Sequence, residues 1–421
     1  MELDDLHMTQ NYENGEVNQD AVALKDSHVN FYLKGESTIH MSQRKTDFYC
    51  HVYVSESSTA AFDDSERRGE FQAGSGKLTL TRGEMANSDT IPAACIGGRG
   101  YVYTADGYGA PIGNTDRAGT MVFNGGTIEV KDGPGFRAAA AIGSGYRTSF
   151  YENSYEPQFQ RIEVNGGHLM VANGDTCIGA GSSAFFANGT NNIIQINGGT
   201  VDAISTRSGS GIGASDLASV SRIEINGGTV NATGGGSGST AGAGISCNYA
   251  DGEILISGGT VNAVGGTIQN ALTDAYLGGS GAGIGGVGIY NARIAAPVNI
   301  KITGGNVTAR GGDAYSEDKG GGAGAGIGTG GSYKIIYISQ DVRNRIEDHR
   351  RKRQSHRRQR ASGKVAAAQK GARLGSAPAE TVKTKRVKRT SPSAAGTSMP
   401  SAARAGSVRV PTRTAISITI I

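Results

Sequence analysis

The sequence predicts an all-β fold, a right-handed parallel β-helix in which about seven regular coils stack into a solenoid. One observation is a ten-residue phrase in which aliphatic residues alternate around a Gly-Gly pair. A second is a phrase rich in glycine and alanine, ending in Ile-Gly or a close variant, that follows each copy. The ten-residue phrase occurs as MVFNGGTIEV (121–130), IEVNGGHLMV (162–171), IQINGGTVDA (194–203), IEINGGTVNA (223–232), ILISGGTVNA (254–263) and IKITGGNVTA (300–309), with LTLTRGEMAN (78–87) as a degenerate first copy. Steps of 29 to 46 residues between copies predict regular strands joined by loops of variable length.

The two strands within one copy follow from residue spacing, as the phrase IEINGGTVNA illustrates. Ile223 and Ile225 flank Glu224, so a strand with a period of two places both isoleucines inside and the glutamate outside. Residues 226–228, Asn-Gly-Gly, accept positive φ angles, which predicts a corner. Val230 then resumes the inward face in a second strand. Each buried Ile or Val contributes about 1.5–3 kcal/mol once neighbouring coils cover it.

The small-residue phrase predicts the third strand of a coil. GAGIS (242–246) offers glycine and alanine for a tight interior, with Ile245 as the buried plug. Three strands and about 30 residues then complete one triangular coil, and coils repeat at about 4.8 Å. A helical fold is excluded because glycine is unfavourable in helices and no period of 3.6 is visible. A disordered glycine-rich linker would lack the strict alternation.

Charge divides the chain into a folded body and a basic end. Residues 1–342 contain 21 of the 41 Lys and Arg residues and 34 of the 37 Asp and Glu residues, whereas residues 343–421 contain 20 basic and 3 acidic residues. We therefore predict a loose acidic N-terminus (1–24), irregular N-terminal coils that cap the solenoid (25–77), regular repeats (78–342) and a disordered basic tail (343–421).

Cysteine spacing and hydropathy exclude several classes of protein. The four cysteines fall into no spacing typical of a zinc site or a disulfide scaffold: Cys50, Cys95, Cys177 and Cys247. No apolar stretch approaches the roughly 18 residues that a membrane span requires, so no span is predicted. The first 20 residues lack the basic and apolar regions of a signal peptide. Either the protein is cytosolic or the sequence begins inside a longer gene.

Several phrases together resemble a known group of proteins. They are VNFYLKGESTI (29–39), HVYVSESSTA (51–60), LTLTRGE (78–84) and ISGGTVNAVGG (256–266). The chain over about residues 25–340 resembles the glycine-rich right-handed β-helix regions of bacterial surface proteins described as carbohydrate-binding-domain-containing or adhesin-like. This resemblance implies an extracellular or cell-surface location.

Catalysis by a parallel β-helix requires carboxylates, often with basic residues, that converge on one strand face. The acids at outer strand positions, such as Glu129 and Asp202, occur singly, and His168 is interpreted as a surface residue. The acidic loop at 313–318 lacks the spacing of calcium-binding solenoids. The sequence therefore predicts no catalytic residue, no cofactor and no metal site.

Outer positions that recur in successive copies predict a polar face instead. The candidate glycan-binding residues are Thr200, Asp202, Thr229, Asn231, Thr260 and Asn262. Regularly spaced hydroxyls and amides suit sugar hydroxyls, and an extended face suits a polymer. The alternative interpretation is that these are ordinary solvent-facing strand residues. An ice-binding face is excluded because His168 and Asn306 interrupt the threonine ladder.

The basic run DHRRKRQSHRRQR (348–360) has two interpretations. One is a nucleic-acid contact, but no aromatic residues accompany it for base stacking and the body is acidic. The other is a reading-frame error. One permitted codon spelling of the run, moved by one base, reads ITGGNVKATGGN, which agrees with residues 302–313 at nine of twelve positions. We therefore predict that 343–421 is frame-shifted and that the protein does not bind nucleic acid.

Three functions remain open from the sequence. The first is a non-catalytic cell-surface or secreted β-helix that acts as a stalk, an adhesin or a glycan-binding module, with a polysaccharide as its partner. The second is a polysaccharide lyase or hydrolase, which convergent carboxylates on neighbouring coils would indicate. The third is nucleic-acid binding through the tail. The last regular coil, GAGIGTGGSYKIIYI (324–338), has no cap, and its open strand edges predict self-association.

Overall fold

The structure is a computed structural model, and its described residues are almost all strands and corners. They are 1–10, 20–41, 49–64, 75–82, 93–102, 117–131, 139–145, 147–148, 159–181, 192–214, 218–237, 240–248, 252–269, 279–288, 298–315, 322–331, 345–347 and 415–420. All regular elements among them are β-strands. Within these ranges there is no helix of the length and apolar character that a membrane crossing requires.

The strands follow one another along the chain in groups of three, and each group forms one coil. The first three coils contain β1 (Glu2–Asp4), β2 (His7–Gln10), β3 (Val22–Leu24), β4 (His28–Lys34), β5 (Glu36–Met41), β6 (Val52–Val54), β7 (Thr59–Asp63), β8 (Lys77–Arg82) and β9 (Ile96–Gly97), followed by the short β10 (Tyr101–Val102). The next three contain β11 (Ala118–Phe123), β12 (Thr127–Lys131), β13 (Ile142–Gly143), the short β14 (Arg147–Thr148), β15 (Phe159–Val164), β16 (His168–Asn173), β17 (Ile178–Ala180), β18 (Ile193–Ile196), β19 (Thr200–Ser205) and β20 (Ile212–Ala214). The last three contain β21 (Arg222–Ile225), β22 (Thr229–Thr233), a side hairpin of β23 (Gly236–Ser237) and β24 (Thr240–Ala241), β25 (Ile245–Ser246), β26 (Gly252–Ile256), β27 (Thr260–Val264), β28 (Ile268–Gln269), β29 (Ile284–Gly285), β30 (Val298–Ile302), β31 (Gly305–Arg310), β32 (Ala314–Tyr315) and β33 (Ile327–Gly328). Two further strands, β34 (Arg345–Glu347) and β35 (Ala415–Ile420), come after them.

These strands stack into three long sheets. The first sheet has the order β1-β4-β7-β11-β15-β18-β21-β26-β30-β34, the second β2-β5-β8-β12-β16-β19-β22-β27-β31-β35, and the third β3-β6-β9-β13-β17-β20-β25-β29-β33. In these three sheets, each strand of the nine coils lies beside the equivalent strand of the adjacent coil, and the two strands are parallel. The predicted all-β architecture of stacked parallel strands is thus confirmed. Right-handedness stays a prediction.

The stack begins earlier in the chain than the sequence predicts. Residues 1–24, expected to be loose, contain β1, β2 and β3, which form the first coil at the start of the three sheets. The described parts of 25–77 likewise contribute regular strands. Among the described residues, nine coils contribute to all three sheets, where the sequence predicts about seven regular ones. The early coils lack the Gly-Gly phrase, so the repeat pattern does not reveal them.

One register assignment is corrected by the sheet pairing. LTLTRGEMAN was aligned with the first strand of each repeat, but Leu78 lies opposite Ile128 and Leu80 lies opposite Val130. Both partners belong to β12, the strand that follows the corner. LTLT is therefore a second-sheet strand, and β7 fills the equivalent first-sheet position.

The interior consists of columns of aliphatic side chains, as the alternation predicts. Ile223, Ile225, Val230, Ala232 and Ile245 are all fully buried. In the third sheet, one column of inward residues runs through the stack: Val52, Ile96, Ile142, Ile178, Ile212, Ile245, Ile284 and Ile327. In the second, third and fourth coils, the buried rings of Phe31, Phe62 and Phe123 stack on one another, with centroids 4.9 and 5.4 Å apart.

Glycine has two separate uses in the coil. At the corner between the first and second sheets, the second glycine of the pair adopts a positive φ, as Gly228 does at 78°. In the third sheet, the glycine after the buried isoleucine has φ near 113–139°, as at Gly97 and Gly213. Only glycine adopts this conformation readily. The Ile-Gly signature therefore reflects the backbone of the third strand.

The predicted disordered tail contains two described strands. β34 pairs in parallel with β30, and Arg345 lies opposite Asn299, 46 residues earlier in the chain. β35 pairs with β31 in antiparallel fashion. These nine residues are strands where disorder was predicted, and they lie along the last coil's edges in the first and second sheets. The rest of 343–421, including the basic run, lies outside the described residues.

Candidate binding face

The six predicted glycan-binding residues share one surface, which we call the ladder face. It is the outer side of β8, β12, β16, β19, β22, β27 and β31 in the second sheet. Thr200 lies opposite Thr229, which lies opposite Thr260, and the same pairing joins Asp202, Asn231 and Asn262. From β8 to β31, one column consists of Lys77, Thr127, His168, Thr200, Thr229, Thr260 and Asn306, and the other of Thr79, Glu129, Met170, Asp202, Asn231, Asn262 and Thr308. Members of a column are about 4.8 Å apart.

Hydrogen bonds between coils fix the orientation of the amides on the ladder face. Asn262 Nδ2 donates to Asn231 Oδ1 at 2.8 Å, and Asn231 Nδ2 donates to Asp202 Oδ1 at 2.6 Å. Every donation runs toward the N-terminal coil. Each amide nitrogen carries two protons and uses one in this row. The row is therefore preorganised, with a second N–H of each asparagine directed away from the column.

His168 and Asp202 form a pair that the sequence does not predict. His168 Nε2 lies 2.6 Å from Asp202 Oδ2, although 34 residues separate them in the chain. Partial burial alone would raise the pKa of Asp202, but hydrogen bonds from Asn231 and His168 outweigh it and hold the pKa below its ordinary value. Asp202 is therefore an ionised acceptor for two side chains at neutral pH. His168 lies at the surface, with 37% of its side chain exposed, and its partner there is Asp202.

Near the N-terminal end of the ladder face, a second carboxylate, that of Glu129, lies between two lysines. Glu129 accepts hydrogen bonds from Lys131 and Lys77, each at 2.8 Å. Both contacts hold the pKa of Glu129 below its usual range. The hydrogen bond to Glu129 in turn raises the pKa of Lys77. Met170 separates Glu129 from Asp202 in the column. The two carboxylates thus lie on alternate coils, roughly 9.6 Å apart along the stack.

A further row of amides, the corner ladder, lies at the exposed edge between the first and second sheets. It consists of Asn124, Asn165, Asn197, Asn226 and Ser257. Asn226 Nδ2 donates to Asn197 Oδ1 at 2.9 Å, and Asn197 Nδ2 donates to Asn165 Oδ1 at 2.8 Å. From the sequence alone, Asn226 and its equivalents are predicted only as part of a turn. Their recurrence directly before each Gly-Gly pair was the available signal.

A separate cleft of about 500 Å³ lies near the early coils. Its lining residues are Lys25, Asp26, Tyr53, Ser55, Glu56, Ser57, Arg99 and Gln160. The guanidinium carbon of Arg99 lies over the Tyr53 ring, 4.1 Å from its centroid, and Arg99 Nε donates to Asp20 Oδ2 at 2.9 Å. Asp20 is completely buried and also accepts the backbone N–H of Cys50. These contacts link the first three coils through residues that are up to 79 positions apart in the chain. A repeat of about 30 residues does not predict such a contact.

The cysteines and acids give no metal site among the residues described. All four cysteines are buried free thiols, and burial raises the pKa of Cys50 and of Cys247. Asp313 pairs with Arg310 at 2.8 Å, and the rest of its acidic loop lies outside the described residues. In the described ranges no three His, Cys, Asp or Glu side chains converge as a metal would require.

No protein-family model, curated protein or solved structure matches the chain.

Proposed function

We propose that this chain is a right-handed parallel β-helix of a secreted or cell-surface protein, and that its ladder face binds a polysaccharide without cleaving it. The proposal is carried by one observation: hydroxyl, amide and carboxylate groups recur in register on successive coils of one face. These groups recur about every 4.8 Å along the stack. A ligand made of repeating units, such as an extended polymer, could therefore contact several coils in the same way. The resemblance to adhesin-like surface proteins supports the same location and role.

The hydrogen bonding of the face supports recognition of a polyhydroxylated ligand. Asp202 supplies acceptors, the amides of Asn231 and Asn262 each supply a remaining donor, and Thr229 supplies a hydroxyl that both donates and accepts. Because the amides already hold each other in place, binding orders few side chains. Preorganisation of this kind lowers the entropy cost of association.

The test compares two double variants of the full chain by affinity electrophoresis in gels that contain plant, algal or bacterial polysaccharides. Thr229→Ala with Asn231→Ala removes two groups from the ladder face. The control, Thr120→Ala with Asn299→Ala, makes the same chemical changes on the outer side of the first sheet. We expect the first variant to bind at least about tenfold more weakly, given about 0.5–1.5 kcal/mol for each lost hydrogen bond.

The control should bind as the unmodified chain does, and both variants should keep the same circular dichroism spectrum. Equal binding by the two variants would place the site elsewhere. If the unmodified chain is retarded by none of the polysaccharides, the proposed function fails.

A hydrolase is the second candidate, because His168 and Asp202 form an acid–base pair on neighbouring coils. Two facts favour binding over cleavage. The pKa values of Asp202 and Glu129 both lie below the ordinary range, whereas a general acid needs a raised pKa. Asp202 is also occupied by two side-chain donors. We expect pectin and alginate to stay uncut. Turnover that is abolished by Asp202→Asn would favour the hydrolase.

A further inference from the structure

Two asparagines of the corner ladder have the same neighbours in sequence but different neighbours in the structure. Asn197 and Asn226 lie in the same local sequence, Ile-Asn-Gly-Gly-Thr-Val, on neighbouring coils. An Asn-Gly step is the dipeptide in which the following backbone nitrogen most readily attacks the side-chain amide, because glycine leaves the nitrogen unhindered. Since the sequences are the same, any difference in reactivity between the two steps comes from the fold.

The two asparagines differ in what their side-chain carbonyl oxygen accepts. Asn197 Oδ1 accepts an amide N–H from Asn226 at 2.9 Å. Asn226 Oδ1 accepts the hydroxyl of Ser257 at 2.7 Å. Asn226 is exposed, as is Ser257. A donor on this oxygen stabilises the negative charge that develops there when a nucleophile adds to the carbonyl carbon.

The attacking nitrogens differ as well. The N–H of Gly198 donates to the carbonyl of Val164 at 3.3 Å, as the N–H of Gly166 does to Phe123 at 3.2 Å. Gly227 donates its N–H to no other residue in the described part of the chain. The nitrogen must lose its proton to react, and a hydrogen-bonded N–H releases that proton less readily. The difference between the two attacking nitrogens therefore favours reaction at Asn226.

We propose that Asn226 is a site of spontaneous deamidation and that the neighbouring coils protect Asn165 and Asn197. The Gly227 nitrogen bonds to the Asn226 side-chain carbonyl carbon, the bond from that carbon to Nδ2 breaks, and ammonia leaves with the proton from the glycine nitrogen. Water then opens the resulting succinimide to aspartate or isoaspartate. The product lacks the donor to Asn197 and carries a new negative charge beside Thr229.

The experiment follows the full chain during incubation at mildly alkaline pH. Peptide mapping by mass spectrometry quantifies the conversion of each asparagine to aspartate and isoaspartate. We expect Asn226 to convert about fivefold to tenfold faster than Asn197, the factor to which a hydrogen bond of about 1–1.4 kcal/mol corresponds. In the chain unfolded by urea, Asn197 and Asn226 should convert at equal rates.

Ser257→Ala is the matched variant, because it removes the hydroxyl donor at an exposed position. It should slow conversion at Asn226 and leave Asn165 and Asn197 unchanged. Equal rates at Asn197 and Asn226 in the folded chain would overturn the proposal. It also fails if the difference persists in urea, or if Ser257→Ala leaves the rate at Asn226 as it was.

Discussion

Replacing Gly97 by alanine tests whether the third sheet depends on glycine. Gly97 lies in β9 with φ at +132°, a conformation that L-residues rarely adopt. A Cβ atom there would lie 2.0 Å from the carbonyl oxygen of Gly143 on the next coil. That oxygen accepts the N–H of Gly98 at 2.8 Å, so it cannot move away without losing an inter-coil hydrogen bond. The neighbouring Gly98 has room, since its added Cβ would meet nothing closer than 3.3 Å.

The expected loss for Gly97→Ala combines two terms. The unfavourable φ costs about 1–3 kcal/mol. Displacing the Gly143 carbonyl forfeits a hydrogen bond worth about 0.5–1.5 kcal/mol. We therefore expect the free energy of unfolding to fall by about 1.5–4.5 kcal/mol, a large part of the roughly 5–15 kcal/mol typical of folded proteins. For Gly98→Ala a shift of a few tenths of an ångström suffices, and we expect a loss below about 1 kcal/mol.

Urea unfolding of the full chain, followed by circular dichroism, measures both variants against the unmodified protein. The midpoint should fall markedly for Gly97→Ala and little for Gly98→Ala. The two substitutions are chemically the same and adjacent in the chain, so effects on the unfolded state are closely matched. If both variants unfold at the same urea concentration, the backbone conformation assigned to the third sheet is wrong.

Three further predictions concern burial and charge. Ile212→Ala should lower the unfolding free energy by about 2–5 kcal/mol because Ile212 is fully buried, whereas Ile204→Ala, at a position 50% exposed, should change it by less than about 0.5 kcal/mol in the same urea titration. Arg99→Met should cost about 3–5 kcal/mol because it leaves the buried carboxylate of Asp20 without its cation, and adding Asp20→Asn should recover part of that loss in thermal unfolding. Because the pKa of Glu129 is lowered in the folded state, its contacts with lysine stabilise the fold at pH values above the ordinary glutamate pKa of about 4.3. This stabilisation is lost as the pH falls through the pKa of Glu129 in the folded protein. Glu129→Gln should therefore make the unfolding free energy depend less on pH in that acidic range. An unchanged curve for Glu129→Gln would mean that the two lysine contacts add nothing to folding.

The sequence by itself determined the architecture of the regular coils, because its signals are local. A period of two decides which side of a strand Ile223 and Glu224 occupy, and Asn-Gly-Gly decides where the chain turns. Repetition carries this further. When Thr229 and Thr260 occupy the same place in successive copies, stacking brings them into one column, so the members of the ladder face were predictable without coordinates.

Only the tertiary structure decided what depends on contacts between coils. The first coil lies in residues 1–24, which lack the Gly-Gly phrase and are predicted to be loose, so only the pairing of β1, β2 and β3 with later strands reveals it. The pairs His168–Asp202 and Asp20–Arg99 join residues 34 and 79 positions apart, and loops of variable length keep such separations from following any fixed period. The contrast between Asn197 and Asn226 has the same origin. Their local sequences agree, and the group that donates to the side-chain oxygen comes from the next coil, the Asn226 amide in one case and the Ser257 hydroxyl in the other.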